Sequence, residues 1–245
     1  FTGRRYDAEM DGGLRLNVWR PLELLPVFAP AGGIVPLQEL DQNINDCGNP
    51  QALEILVFPG ADGHFTLRED DGHYPGVNCE QRSGEVRSEI VYNDACGTLT
   101  IHPAKGCTDA LPALRSWTVT MRGIEKPTQV SVNGEPAEFT YDPGSLSARV
   151  TIHEVELSQD LEVSFAGGQR PAFAENPVEN DIYQALLRCE MDALAKDDAY
   201  AMVRRLGRRA LPQLRTLDRG KEAGMFRSEM PASVIEMIEE ILLRS

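Results

Sequence analysis

Apolar positions change their rhythm twice along this chain. From Leu14 to Leu40 they alternate or cluster in short runs cut by Pro21, Pro26, Pro30 and Pro36, with Gly32-Gly33 between them. A helix interior does not tolerate that proline density, so strands and turns are expected. Leu14, Leu16 and Val18 are expected on one face of a first strand and Ile34-Val35 in another. The segment Leu40 to Pro50 holds three Asn, two Asp and a Gly and reads as a linker.

From Ala52 to about Gly168 the pattern is that of an all-β region. The run Leu53 to Phe58 stops at Pro59-Gly60-Ala61-Asp62-Gly63 and resumes at His64 to Leu67, which predicts a hairpin with a glycine-containing loop. Further strands are expected at Arg87–Tyr92, Thr98–His102, Trp117–Arg122, Gln129–Val132, Ala137–Tyr141, Ser147–His153 and Leu161–Phe165. With Asn133-Gly134-Glu135 and Asp142-Pro143-Gly144 as turns, their spacing predicts a β-sandwich.

After Gly167-Gly168 the period becomes helical. Ile182, Leu186, Cys189 and Ala193 share one helical face, with Asn180 or Asp181 as the expected N-cap. Asp198 to Leu211 predicts a second helix, ended or kinked at Pro212. Val234, Ile235, Ile238, Ile241 and Leu242 draw another stripe after Pro231. The stripes are expected to pack on one another, with a partner surface as the alternative.

Charge sharpens this division. The net charge is −14, and residues 1–178 hold 13 Lys+Arg against 26 Asp+Glu, whereas residues 179–245 hold 11 against 12. An acidic surface repels a phosphate backbone, so nucleic-acid binding is not expected, while neutral sugars are indifferent to it. No apolar run approaches the ~18 residues that span a bilayer, so no membrane role is expected. Cys47, Cys79, Cys96, Cys107 and Cys189 make an odd count without a CxxC pair. That argues for free thiols in a cytoplasmic protein rather than for disulfides or zinc. The chain begins at Phe1 and its first residues lack the features of a signal peptide.

The candidate chemistry is sparse. Glu69, Asp70 and Asp71 are candidates for a cation site, yet on a strand end Glu69 and Asp71 point away from Asp70. Glycoside hydrolysis needs two carboxyl groups facing each other across the sugar, which neighbours on one strand cannot supply. The plainer reading is a turn whose carboxylates bind backbone N–H groups or a nearby Arg. Asp62-Gly63-His64-Phe65-Thr66 departs from the calcium loop of an EF-hand. His64, His73, His102 and His153 lack metal-ligand spacing, and neither a GxSxG elbow, a P-loop nor a GxGxxG helix start is present. No catalytic residue, metal or cofactor is assigned. Trp19, Trp117 and Tyr74 are the candidates for a sugar-stacking platform, against the plainer expectation that such aromatics fill a core.

Two segments carry a resemblance. Phe1-Thr2-Gly3, Arg4-Arg5-Tyr6, Arg20-Pro21-Leu22-Glu23, Pro26-Val27-Phe28 and Ala31-Gly32-Gly33-Ile34-Val35-Pro36-Leu37 form one; Phe58 to Gly63 with Glu69-Asp70-Asp71-Gly72 form the other. Together they resemble the β-rich region that follows the catalytic barrel in glycoside hydrolase family 31, the α-glucosidase and α-xylosidase family. Leu111-Pro112 and Val130 to Gly134 fit it more loosely, Arg68 stands where an aromatic is usual, and the helical tail has no counterpart. The resemblance implies a mainly β chain: later strands of a proximal β-sandwich (1–44), a linker (45–51), a distal β-sandwich (52–168) and a small C-terminal α-helical domain (179–245). It implies a parent that hydrolyses α-glucosides or α-xylosides with retention, through a carboxylate pair on a barrel that this sequence lacks. The expected role is non-catalytic support of that barrel. The alternatives are a carbohydrate-binding module for an α-glucan or oligosaccharide, and homo-oligomerisation through the helical tail. With only later proximal strands, residues 1–40 are expected to dock on the distal sandwich or on a second copy.

Overall fold

A computed structural model describes residues 4–6, 17–20, 23, 25–38, 48–72, 84–215 and 230–244. These fall into two compact units, one within residues 28–174 and one combining residues 4–27 with 175–245. Among the described residues no helix is long and apolar enough to cross a membrane.

The first unit is a pair of β-sheets. One is ordered β1 (Gly33–Leu37), β2 (Ala52–Phe58), β7 (Leu114–Arg122), β11 (Ser147–Glu156) and β10 (Thr140–Asp142). The other is ordered β3 (Gly63–Glu69), β4 (Val86–Asn93), β5 (Thr98–Ile101), β12 (Leu161–Ser164), β8 (Val130–Val132) and β9 (Glu135–Ala137), with the short β6 (Lys105–Gly106) beside β4. Period-two alternation sets the inner face. Because β2 runs parallel to β7, Leu53, Ile55 and Val57 lie opposite Trp117, Val119 and Met121, and β11 continues the rows with Ile152, Val150 and Ala148. From the second sheet Ile90 pairs with Ile101 and Tyr92 with Leu99. These side chains form one core, each buried aliphatic contributing about 1.5–3 kcal/mol.

The expected β-sandwich is present, with its strand connections redrawn. The run Leu53–Phe58 and the run His64–Leu67 are not a hairpin: β2 and β3 lie in different sheets, and the chain turns the corner at Pro59–Asp62. Gly60, with φ of +125°, makes that corner. The expected strand Ala137–Tyr141 also divides, with β9 in one sheet and β10 in the other. Ile34-Val35, read as part of the first segment, lie in β1, which pairs with β2 through Ile34 opposite Val57. The turn at Asn133-Gly134 joins β8 to β9, both residues having positive φ, as a two-residue hairpin turn requires. The first strand expected at Leu14 falls mostly outside the described residues, and Asn17–Arg20 carry no regular element.

The second unit contains α1 (Val178–Arg188), α2 (Ala193–Leu206), α3 (Leu211–Leu214) and α4 (Ala232–Leu242). Ile182, Leu186, Val203, Ile235, Ile238 and Leu242 share its core, so the predicted stripes pack on one another. The boundaries differ from expectation. The first helix starts at Val178, which puts Asp181 inside its first turn instead of at the cap. It ends at Cys189 in extended backbone, so Ala193 opens α2, whose N-cap is Asp192, accepting from Leu194 N and Ala195 N at 3.0 and 3.2 Å. That helix stops at Gly207, with φ of +54°, and Pro212 lies in the first turn of α3 rather than breaking a helix.

Candidate functional site

The glycines of the two resembling segments meet each other. Gly32 N donates to Phe58 O at 2.7 Å, and Gly33 N to Pro30 O at 3.0 Å. A Cβ on Gly32, whose φ is +77°, would stand 2.4 Å from Asp62 O, and one on Gly63 only 2.1 Å from Gly32 O. Backbone is packed on backbone there, and both positions require glycine. Asp62 Oδ1 accepts from Asp94 N at 2.9 Å, while Asp94 Oδ1 accepts from Gly60 N at 2.7 Å and from the Tyr92 hydroxyl at 3.3 Å. Arg170 forms an ion pair with the other oxygen of Asp94. Burial, then the Asp94 charge, pushes the Tyr92 hydroxyl far above its ordinary value, so it stays a neutral donor. The carboxylates of this corner serve to hold three loops together.

Glu69, Asp70 and Asp71 separate into different tasks. Glu69 makes a two-pronged ion pair with Arg115, at 2.8 and 2.9 Å, and the side chains are 7% and 0% exposed. Arg115 also donates to Pro50 O at 3.0 Å and lies 5.6 Å from the centroid of Trp117. Asp70 Oδ1 accepts from Gly72 N at 2.9 Å, the bond of an Asx turn. The Asp71 carboxylate packs beside Gly84, where a Cβ would meet it at 2.6 Å. Among the described residues no group of three or more His, Cys, Asp or Glu could hold a metal ion. The histidines stand apart: His64 pairs with Glu89 and His102 with Asp160, each at 2.6 Å, and His153 lies 3.3 Å from Ser116 Oγ. His73 is outside the described residues.

The aromatic candidates also divide. Trp117 is 3% exposed and belongs to the sandwich core. Trp19 is in the other unit and 45% exposed, its Nε1–H donating to Glu236 at 2.8 Å. Tyr74 lies outside the described residues. Trp117, enclosed by the sandwich core, presents no open face on which a sugar could stack.

A cluster in the second unit escaped the sequence reading. Glu240, fully buried on α4, accepts from Arg20 at 2.8 and 3.0 Å, from Arg244 at 3.0 and 2.6 Å, and from the Tyr6 hydroxyl. Asp181 on α1 accepts from Arg4 at 2.9 and 3.2 Å and from Arg244 at 3.0 Å. Arg244 also lies 5.7 Å from the Tyr6 ring centroid. Burial pushes the Glu240 carboxyl up, but the bonds from Arg20, Tyr6 and Arg244 outweigh it and hold the group below the usual carboxylate range. Burial, then the bond to Glu240, raises the Tyr6 hydroxyl. The local signal was the Glu240–Arg244 spacing of one helical turn. The partners Arg4 and Arg20 have no local signal at all.

No family model matches the chain. An alpha-xylosidase of Saccharolobus solfataricus is 27% identical over 142 residues, 55% of this chain and 18% of that relative. A GH31 dextranase of Flavobacterium johnsoniae, solved with isomaltotriose, superposes with a TM-score of 0.50 at 17% identity, over 61% of this chain and 21% of the dextranase. The chain resembles the C-terminal region of glycoside hydrolase family 31. A family 31 alpha-xylosidase of Xanthomonas citri is 28% identical over 66% of this chain and 15% of its own, with a TM-score of 0.44. The chain thus spans less than a fifth of the curated alpha-xylosidase, so the family 31 likeness concerns a part of such enzymes.

Proposed function

We propose that this chain is a non-catalytic accessory region of a family 31 α-glycosidase, with a sandwich that braces a catalytic barrel. One observation carries the reading. The residues of the resembling segments are spent on holding the fold: Gly32 and Gly63 pack backbone on backbone, Asp62 accepts from Asp94 N, Gly60 N donates to Asp94, and Glu69 is locked to buried Arg115. Retaining hydrolysis needs two carboxyl groups ~5–5.5 Å apart across an open sugar site, and these carboxylates are engaged elsewhere. The parent activity under this reading is retaining hydrolysis of α-glucosides or α-xylosides, with both catalytic carboxylates on the barrel.

The test uses the chain alone. With aryl α-xyloside and aryl α-glucoside it is expected to give no turnover, and calorimetric titration with maltose, isomaltose or soluble starch no saturable heat. Turnover would overturn the non-catalytic reading. Saturable heat that disappears in Trp19→Ala would favour a carbohydrate-binding module instead, a reading for which the exposed ring of Trp19 is the supporting observation.

A further inference from the structure

We propose that α1 and α4 form a notch that binds an extended peptide bearing arginines and a tyrosine, and that the stretches Arg4–Tyr6 and Asn17–Arg20 of this chain are its ligand. The notch has two means of recognition. Asn176, just before α1, reads backbone: its Oδ1 accepts from Arg5 N at 2.9 Å and its Nδ2 donates to Arg5 O at 2.8 Å. One amide side chain thus gives Arg5 the two bonds that a neighbouring β-strand would give. The same Nδ2 donates to Arg244 O at 2.5 Å, which ties this reader to the end of α4.

The carboxylates read side chains. Arg244 bonds Oε1 of Glu240 and Oδ2 of Asp181, so the helices' own cation engages one oxygen of each. The second oxygen of each is taken by the segment: Arg20 reaches Oε2 of Glu240 at 2.8 Å and Arg4 reaches Oδ1 of Asp181 at 3.2 Å. Tyr6 adds a hydroxyl donor on Glu240, and Trp19 donates to Glu236 one helical turn earlier on α4. A fully buried carboxylate is unfavourable unless its oxygens are satisfied, so Glu240 on an otherwise apolar stripe demands such a partner. The described stretches have no strand or helix of their own. Their order rests on the notch. The contacts join positions 171 to 234 residues apart, which makes the notch a latch between two distant parts of the chain.

Recognition depends on the planar guanidinium as well as on charge, since a lysine cannot span both oxygens of Glu240 as Arg20 does. Hydrogen exchange on the full chain tests this. Wild type is expected to protect the Arg5 amide, and Asn176→Ala and Arg20→Lys are expected to lower protection of the Arg4–Tyr6 stretch by about tenfold or more, with β2 and β7 amides unchanged. Full-speed exchange of the Arg5 amide in wild type would overturn the proposal. So would Arg20→Lys and Asn176→Ala variants that keep wild-type protection. Should Asn176→Ala lose its helices by circular dichroism, Arg20→Lys, which keeps charge and stem, decides alone. The latch is independent of the family 31 reading, so hydrolysis by the chain would leave it standing.

Discussion

Glu240 shows how a single residue can carry an interaction that no local pattern announces. Its neighbours Ile238, Ile241 and Leu242 define the apolar stripe of α4, and the stripe was legible from spacing alone. The burial of the carboxylate among them was not, because it depends on Arg20, 220 residues away. Its acid behaviour follows from the direction of its shift. The folded carboxyl is held below its ordinary value, so its contribution is complete above the unfolded carboxylate pKa and is lost as pH falls through the lower, folded one. Tyr6, shifted upward, contributes below the ordinary tyrosine value and ceases to as pH climbs through its raised one. Glu240→Gln should therefore destabilise the helical unit by about 3 kcal/mol at neutral pH and flatten the acid limb of its stability curve. Urea melts followed at Trp19 in a Trp117→Phe background between pH 3 and 7 measure both.

At the scale of elements, alternation identified the β-strands well and their connections poorly. Leu53, Ile55 and Val57 announced the inner face of β2, and its register beside Trp117, Val119 and Met121 completes the pattern. The β2–β3 connection looked like a hairpin because a glycine-containing loop separates two apolar runs. The corner at which the second run passes to the other sheet is held by Asp94, from just beyond β4, which accepts from Gly60 N. Local turn chemistry cannot show a bond of that span. The Glu69–Arg115 pair was foreseen only as "a nearby Arg", since β7 lies 46 residues on. The glycines, by contrast, were visible as a motif whose reason emerges in the packing. Gly63→Ala should cost about 2–4 kcal/mol, as overpacking against rigid backbone does, because the new methyl meets Gly32 O at 2.1 Å. A thermal-shift series comparing it with Gly134→Ala, where no atom lies within 4 Å of the added carbon but φ is +85°, sets a clash without left-handed backbone at Gly63 against left-handed backbone without a clash at Gly134.

For the whole molecule, the change of hydrophobic period after Gly167-Gly168 marked where strands give way to helices. The composition of the second unit was hidden, because reading along the chain groups neighbours and cannot join residues 4–27 to residues 175–245. The two tryptophans fall one in each unit, Trp117 in the sandwich core and Trp19 against α4. Each unit therefore carries its own fluorescent reporter.

The corner glycine Gly60 gives this arrangement a consequence in time. A Cβ placed on it would stand 3.1 Å from Ala31 and 3.8 Å from Phe173, the residues near which the chain comes into the sandwich and leaves it. Once the sandwich has formed, the two stretches that make the helical unit start from neighbouring points; before that, they are separated by a flexible loop whose closure is entropically expensive. Contacts of such long sequence separation form slowly from an open chain. Refolding should accordingly be ordered. In Trp19→Phe, leaving Trp117, the fluorescence change is expected to finish first; in Trp117→Phe, leaving Trp19, it should trail, and simultaneous signals would refute the sequence of events. The β-sandwich would then act as a template that splices together the two stretches flanking it in sequence.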